Sequence, residues 1–196
     1  MTQAGGNLRV KRTQKLLREA LIDLIEERGF EALTVGELTT RAMVSRAAFY
    51  RNYQDKYNLV EQIFDEAMDD LLGAVGDLGQ EHPAGIWVTF FEHIAQYERL
   101  YRALLGKNGS PWFVMKMRAS LAGLIKERGH LPHGPQASAH PAHIFQDEFM
   151  PDLVSTMLVE TITWWLENQR PYPPKEIATR SSLLAAAVFK EAGSWQ

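Results

Sequence analysis

Three helix-start signals crowd into the stretch from Thr34 to Lys56, and they limit what the chain can build there. TVGE, Thr34 to Glu37, places Thr at an N-cap and Glu three residues on, the pattern in which each side chain bonds the other's backbone N–H. Ser45 is a good N-cap for RAAFYRNY, residues 46–53, and Asp55 for KYNLVEQIFDEAMDDLL, residues 56–72. Starts so closely spaced leave room for two short helices, a turn of about three residues between them, and then a long helix. That is the helix-turn-helix pattern. Ala42, Val44, Ala48 and Phe49 are small or apolar where the two short helices must touch. Arg46, Tyr50, Arg51, Tyr53 and Lys56 fall on the face left outside.

A helix also precedes this unit. In KRTQKLLREALIDLIEERG, the residues Leu17, Ala20, Leu21, Leu24 and Ile25 repeat at the spacing of one helix face, with Lys11, Arg12, Lys15 and Arg18 outside it. Gly29 is placed to end it in a left-handed conformation. Charge is shared unevenly along the chain. Residues 1–56 hold ten Lys/Arg against seven Asp/Glu, whereas residues 57–196 hold eleven against seventeen. A basic head on an acidic body suits a head that meets a polyanion.

Past residue 73 the reading is again helical. GAVGDLGQEHPAG is expected to be a linker, and IWVTFFEHIAQYERLYRALLG two helices or one bent one. SPWFVMKMRASLAGLIKERG is expected as a helix capped by Ser110 with Pro111 at its first position. HLPHGPQASAHPAH is expected to be a loop. FMPDLVSTMLVETITWWLENQR and KEIATRSSLLAAAVFKEAG are the last two helices, separated by PYPP. No strand alternation, internal repeat or glycine-rich phosphate loop emerges, so the fold class is all-α. The absence of cysteine excludes disulfides, thiolate metal sites and Cys catalysis. No GxSxG, HExxH or dinucleotide fingerprint is present, and the chain does not read as an enzyme; no cofactor is called for. No apolar run reaches the ~18–20 residues of a membrane span, and MTQAGGNLRVKRTQK has no signal-peptide core, so a soluble cytoplasmic protein is expected.

The block from about Lys11 to Phe64 resembles the N-terminal domain of the TetR family of bacterial transcription regulators. The resemblance rests on Gly29-Phe30, Thr34-Val35, Ser45 to Tyr50, Tyr53 and Asp55-Lys56, in order and at the family's spacing. It departs at Met43, where the family usually has Gly in the turn, and at Ala47 and Ala48, where Gly or Thr is frequent. Either Met43 carries a left-handed backbone at a cost of about 1 kcal/mol, or the turn is shaped differently.

The resemblance implies a DNA-binding domain over residues 9–56 and a helical regulatory and dimerisation domain over 57–196, with 57–73 as the connecting helix. Candidate DNA contacts are Thr34, Arg41, Ser45, Arg46, Ala47, Tyr50, Arg51, Tyr53 and Lys56. Tyr50 and Tyr53 can donate to phosphates, and Lys56 sits where the start of a helix also attracts anions. Thr34 is a cap or a phosphate ligand. The Arg46 fork suits guanine O6 and N7 or a phosphate, Arg41 and Arg51 suit phosphate or solvent, and Ala47 could touch a thymine methyl.

For the body, the resemblance implies a pocket for a small-molecule effector and a symmetric homodimer. Phe90, Phe91, Tyr97, Tyr101, Trp112, Phe113, Met117 and Trp164 could line such a pocket or simply fill the core. Trp165, Ser181, Leu184, Ala185 and Val188 are the candidates for the dimer face. The implied function is a ligand-responsive regulator, a repressor released from a palindromic operator on double-stranded DNA. Two alternatives stand beside it. One is a protein-binding coactivator with weak DNA affinity. The other is a metal-responsive regulator using His130, His133, His140 and His143, a set that otherwise belongs to a solvated loop.

Overall fold

In the computed structural model the backbone is described for residues 3–77, 83–128 and 148–194, and side-chain environments for 10–74, 85–126 and 148–194. The four loop histidines lie outside the described residues. The helices are α1 (Gln3–Arg28), α2 (Val35–Arg41), α3 (Arg46–Tyr50), α4 (Lys56–Asp77), α5 (Pro83–Gln96), α6 (Glu98–Leu105), α7 (Pro111–Arg128), α8 (Phe149–Glu167) and α9 (Pro174–Ala192). The chain forms two units. One holds Met1–Asp70 with Lys107–Ser110; the other holds Leu71–Gly106 and Pro111–Gln196.

In the first unit, α1 buries Leu17, Leu21, Leu24 and Ile25, the face that its spacing predicts. It ends at Gly29, whose φ of 83° lets its N–H bond back to Ile25 at 2.8 Å. Phe30 turns inward and is fully buried, and its N–H donates to the Asn108 carbonyl at 3.0 Å. Leu38, Phe49, Leu59 and Val60 close the core from α2, α3 and α4. The helix begins earlier than its apolar pattern, at Gln3. Two further boundaries depart from expectation. α3 stops at Tyr50, because the Asn52 side chain takes the Ala48 carbonyl at 2.8 Å and the chain leaves the helix there. α4 runs to Asp77 and α5 starts at Pro83, so most of the expected linker is helical. Isolated glycines in a helix cost only about 1 kcal/mol each, which a long helix absorbs.

In the second unit, α5 packs against α9 and α7 against α8, and α6 lies on α7 and α8. The aromatic stretch forms two helices, broken at Tyr97. Pro111 opens α7, as its sequence position predicts. Phe91 and Trp165 meet edge to face, 5.5 Å between centroids, in the interior. Gln169 and Arg170 end α8 with two consecutive positive φ values, 57° and 54°. The Arg170 side chain then reaches Glu98 at 3.0 Å, joining the end of α8 to α6.

Candidate nucleic-acid interface

The start of each of the two short helices is fixed by a side chain. Thr34 accepts from the Glu37 N–H at 3.3 Å, and the Glu37 carboxylate accepts from the Thr34 N–H at 2.9 Å and its hydroxyl at 2.8 Å. The capping box is complete. These bonds, with the nearby Arg28 guanidinium, hold the Glu37 carboxyl below its ordinary pKa. Ser45 caps α3 by accepting from the Ala48 N–H at 3.1 Å. Between the helices Met43 adopts a φ of 52° and is 89% exposed. Of the two options open for the turn, the left-handed one is realised, with Met where Gly would be free of strain.

The arginines of this unit divide into paired and unpaired. Arg28 pairs with Glu37. Arg41 grips Glu27 through two bonds, 2.7 and 2.8 Å, with Asp23 at 3.8 Å; the hydrogen bond from Arg41 lowers the Glu27 pKa. Arg51 bonds the Ala47 carbonyl at 3.3 Å. Arg46 is exposed and makes no hydrogen bond or ion pair among the described residues. Its guanidinium lies against Gly36 of α2; a Cβ there would sit 2.6 Å from Nη2. An open groove of about 620 Å³ separates α2 from the end of α1, with Arg28, Gly36, Thr40 and Arg46 on its walls. Gly36, Arg28 and Thr40 were not singled out by sequence. Their meeting depends on how α1 crosses α2, which no local pattern encodes.

The three phenols also divide. Tyr50 is 58% exposed, its ring edge-on to Phe49 at 5.4 Å. Tyr53 is buried, and desolvation raises its pKa. Tyr57 packs edge-on to Phe30, with Glu31 beside its hydroxyl. Lys56 points inward: its ammonium donates to the carbonyls of Phe30, Glu31 and Leu33 at 2.9, 2.9 and 3.0 Å and lies over the Phe30 ring. It closes the turn after α1 from behind. Ala47 is exposed beside Arg46 at the open end of α3. The outer surface of this small unit therefore offers Arg46, Ala47, Tyr50 and Arg51, while Tyr53 and Lys56 brace it.

In the second unit, Phe90, Phe91, Tyr101, Phe113 and Met117 are buried, and Tyr97 and Trp112 are half-buried. The His93 imidazole lies 3.1 Å from the Tyr101 hydroxyl among them, and the Tyr97 ring lies 4.8 Å from that imidazole. The two adjacent tryptophans face opposite ways to the expected assignment. Trp165, expected on an outer face, is fully buried and donates to the Tyr172 carbonyl at 2.8 Å. Trp164, expected inside, is 46% exposed. Adjacent helix positions are about 100° apart, so only one of a pair can face the core, and periodicity in WW does not say which. Trp164 lines an open groove of about 750 Å³ between α8 and α9 with Met157, Tyr172, Leu183 and Leu184. Leu183 and Leu184 are exposed, Val188 is half-buried, and Ser181 and Ala185 are buried within the unit. Among the described residues no cluster of three His, Asp or Glu could hold a metal, and no helix is long and apolar enough to cross a membrane.

A capped helix-turn-helix carried on a helical body defines a DNA-binding transcription regulator. Residues 17–63 match the family described as bacterial regulatory proteins, tetR family, and residues 81–186 match a transcriptional regulator C-terminal region. The chain belongs to the TetR family. It is 31% identical over 61 residues to the HTH-type transcriptional regulator YxbF of Bacillus subtilis and 33% identical over 72 residues to YdeS of the same organism. Those stretches cover 31% and 37% of this chain but only 16% and 36% of the two relatives. A TetR transcriptional regulator from Streptococcus agalactiae shares the fold with a TM-score of 0.66 at 18% identity, over 93% of this chain and 98% of that one.

Proposed function

We propose that the chain is a ligand-responsive repressor that binds a palindromic operator as a homodimer, with residues 9–56 as the DNA-binding head and 57–196 as the sensing and dimerising body. The observation that carries this reading is the unpaired Arg46 beside exposed Ala47 and Tyr50, in a unit whose other groove arginines, Arg28 and Arg41, are held by carboxylates. An exposed guanidinium without a partner at the open end of a rigid short helix is placed to read a base edge or a phosphate at little reorganisation cost. Thr34 and Ser45 cap the starts of α2 and α3 and so fix the two short helices that present these side chains. Tyr53 and Lys56 act by bracing the turn.

Dimerisation through α8 and α9 is supported by Trp164, Leu183 and Leu184, which leave apolar area uncovered along one groove. Two heads reading two half-sites multiply a weak single contact. The effector would enter among the aromatic residues of α5 to α7, where the His93–Tyr101 pair supplies a polar handle in an apolar setting. Its leverage on DNA affinity equals its preference for one conformation over the other. Selection from a random duplex pool with the full chain tests the reading. An enriched palindrome is expected, and Arg46→Ala is expected to lower affinity for it about 10–100-fold, the 1–3 kcal/mol of a base contact. Enrichment of no sequence refutes it.

A further inference from the structure

Gly36 stands in the first turn of α2, a helix of 7 residues, where glycine costs stability that alanine would not. The backbone does not call for it. Among the described glycines the positive φ is at Gly29, and Gly36 lies within the helix. Core packing does not call for it either. A Cβ at residue 36 would find as its three nearest atoms Nη2, Cζ and Nε of Arg46, at 2.6, 3.5 and 3.8 Å. What the missing methyl provides is room for one guanidinium.

That guanidinium rests on α2 without being bonded to it. The Gly36 carbonyl already accepts from the Thr40 and Thr39 hydroxyls, at 2.8 and 3.0 Å. The Glu37 carboxylate at the next position is held by Arg28 and Thr34, and Glu27 is held by Arg41. Arg46 therefore keeps its five N–H donors for a ligand. Its direction is nonetheless restricted, because the side chain leans on the α2 backbone. That contact removes in advance part of the rotamer freedom that an exposed arginine loses on binding.

We propose that Gly36 sets which base pair Arg46 reads, and how strictly: with no side chain of its own it lets the guanidinium lie along α2, and the direction fixed there carries into the DNA complex. Gly36 is a positioning residue that acts through Arg46. The inference rests on the DNA-binding reading above and deepens it, with guanine O6 and N7 as the chemistry read. An added methyl cannot share the space. The 2.6 Å approach must open to the 3.4–4 Å of ordinary contact, which moves the guanidinium by about 1 Å. The displaced group is the free end of a flexible side chain, so the fold itself is left as it is. A fork bonded twice to a guanine edge does not tolerate such a shift, since good N–H···O distances span only about 0.5 Å.

The test uses the full chain and the palindrome selected above, with each half-site position varied singly. Affinities are measured by anisotropy for the wild type, Gly36→Ala, Arg46→Ala and the double variant. Thermal unfolding followed by circular dichroism reports on the fold. Gly36→Ala is expected to melt with the wild type or about 1–4 °C above it, alanine being the better helix residue. It is expected to bind the palindrome about 5–20-fold more weakly, with discrimination lost at one base pair in each half-site, the same one at which Arg46→Ala loses it. In the Arg46→Ala background, Gly36→Ala is expected to change affinity by less than about twofold, because the group it acts through is gone. Equal losses in both backgrounds overturn the proposal, since the new methyl would then be meeting the duplex directly. Weakening spread evenly over all positions overturns it too, as does wild-type affinity and discrimination in Gly36→Ala. If the wild type enriches no sequence and Arg46→Ala leaves affinity unaltered, it is the DNA-binding reading that has failed.

Discussion

Replacing Met43 by Gly should stabilise the first unit, and the size of the gain follows from the backbone. Met43 sits at φ 52° with 89% of its surface exposed, so its side chain contributes almost no burial. The left-handed conformation costs a residue with a Cβ roughly 1–2 kcal/mol, and glycine avoids it. Against this, glycine widens the unfolded ensemble and gives back about 0.5–1 kcal/mol. The backbone bonds of the turn, Met43 N–H to Thr40 O at 3.2 Å and Val44 N–H to Thr39 O at 2.9 Å, are available to either residue. The net expectation for Met43→Gly is a gain of about 0.5–1 kcal/mol, or about 1–4 °C in Tm. Met43→Ala keeps the Cβ and should stay within about 0.5 kcal/mol of the parent. Unfolding should be followed by far-UV circular dichroism at fixed protein concentration, because all five tryptophans lie at or beyond residue 87 and report on the other unit. A Gly variant no more stable than the Ala variant would refute the strain argument.

Other perturbations probe the bracing. Lys56→Met strips three carbonyls of one donor and should cost about 3 kcal/mol, read as a lower denaturation midpoint of the first unit. Because the Glu37 pKa is depressed in the folded chain, its capping contribution is complete above its ordinary 4.5 and fades as pH falls below that value. The Tm gap between wild type and Glu37→Gln should accordingly narrow below pH 4.5, and a gap independent of pH would exclude the carboxylate as the source. Trp165→Ala empties a fully buried site and should cost about 3–5 kcal/mol. Trp164→Ala should change monomer stability by less than about 1 kcal/mol while weakening self-association in sedimentation equilibrium.

The head was legible because its signals are local. Thr34, Ser45 and Asp55 declare helix starts through bonds spanning three residues, and the Asp55 carboxylate does bond the Asn58 N–H at 2.8 Å. Gly29 announces its own positive φ. What escaped reading depends on partners distant in sequence. Lys56 looks like a cation at a helix start, and only the folded turn turns it toward carbonyls 23 to 26 residues away. Arg28 and Arg41 look like free positive charge until Glu37 and Glu27 are brought against them. Trp164 and Trp165 are indistinguishable by composition; a 100° step separates interior from surface. The glycine-rich stretch expected as a linker is partly helical instead, and α4 carries Gly73 and Gly76 inside its span.

The first unit is discontinuous along the chain: its last members are Lys107–Ser110, and the Asn108 carbonyl is the acceptor for the Phe30 amide. A gene fusion that transplants residues 1–70 onto a foreign trunk would therefore discard part of what it means to keep, exposing a main-chain donor at the base of α1. Modular exchange among such proteins is constrained accordingly. A working hybrid must import a four-residue segment encoded more than thirty codons downstream of the apparent junction.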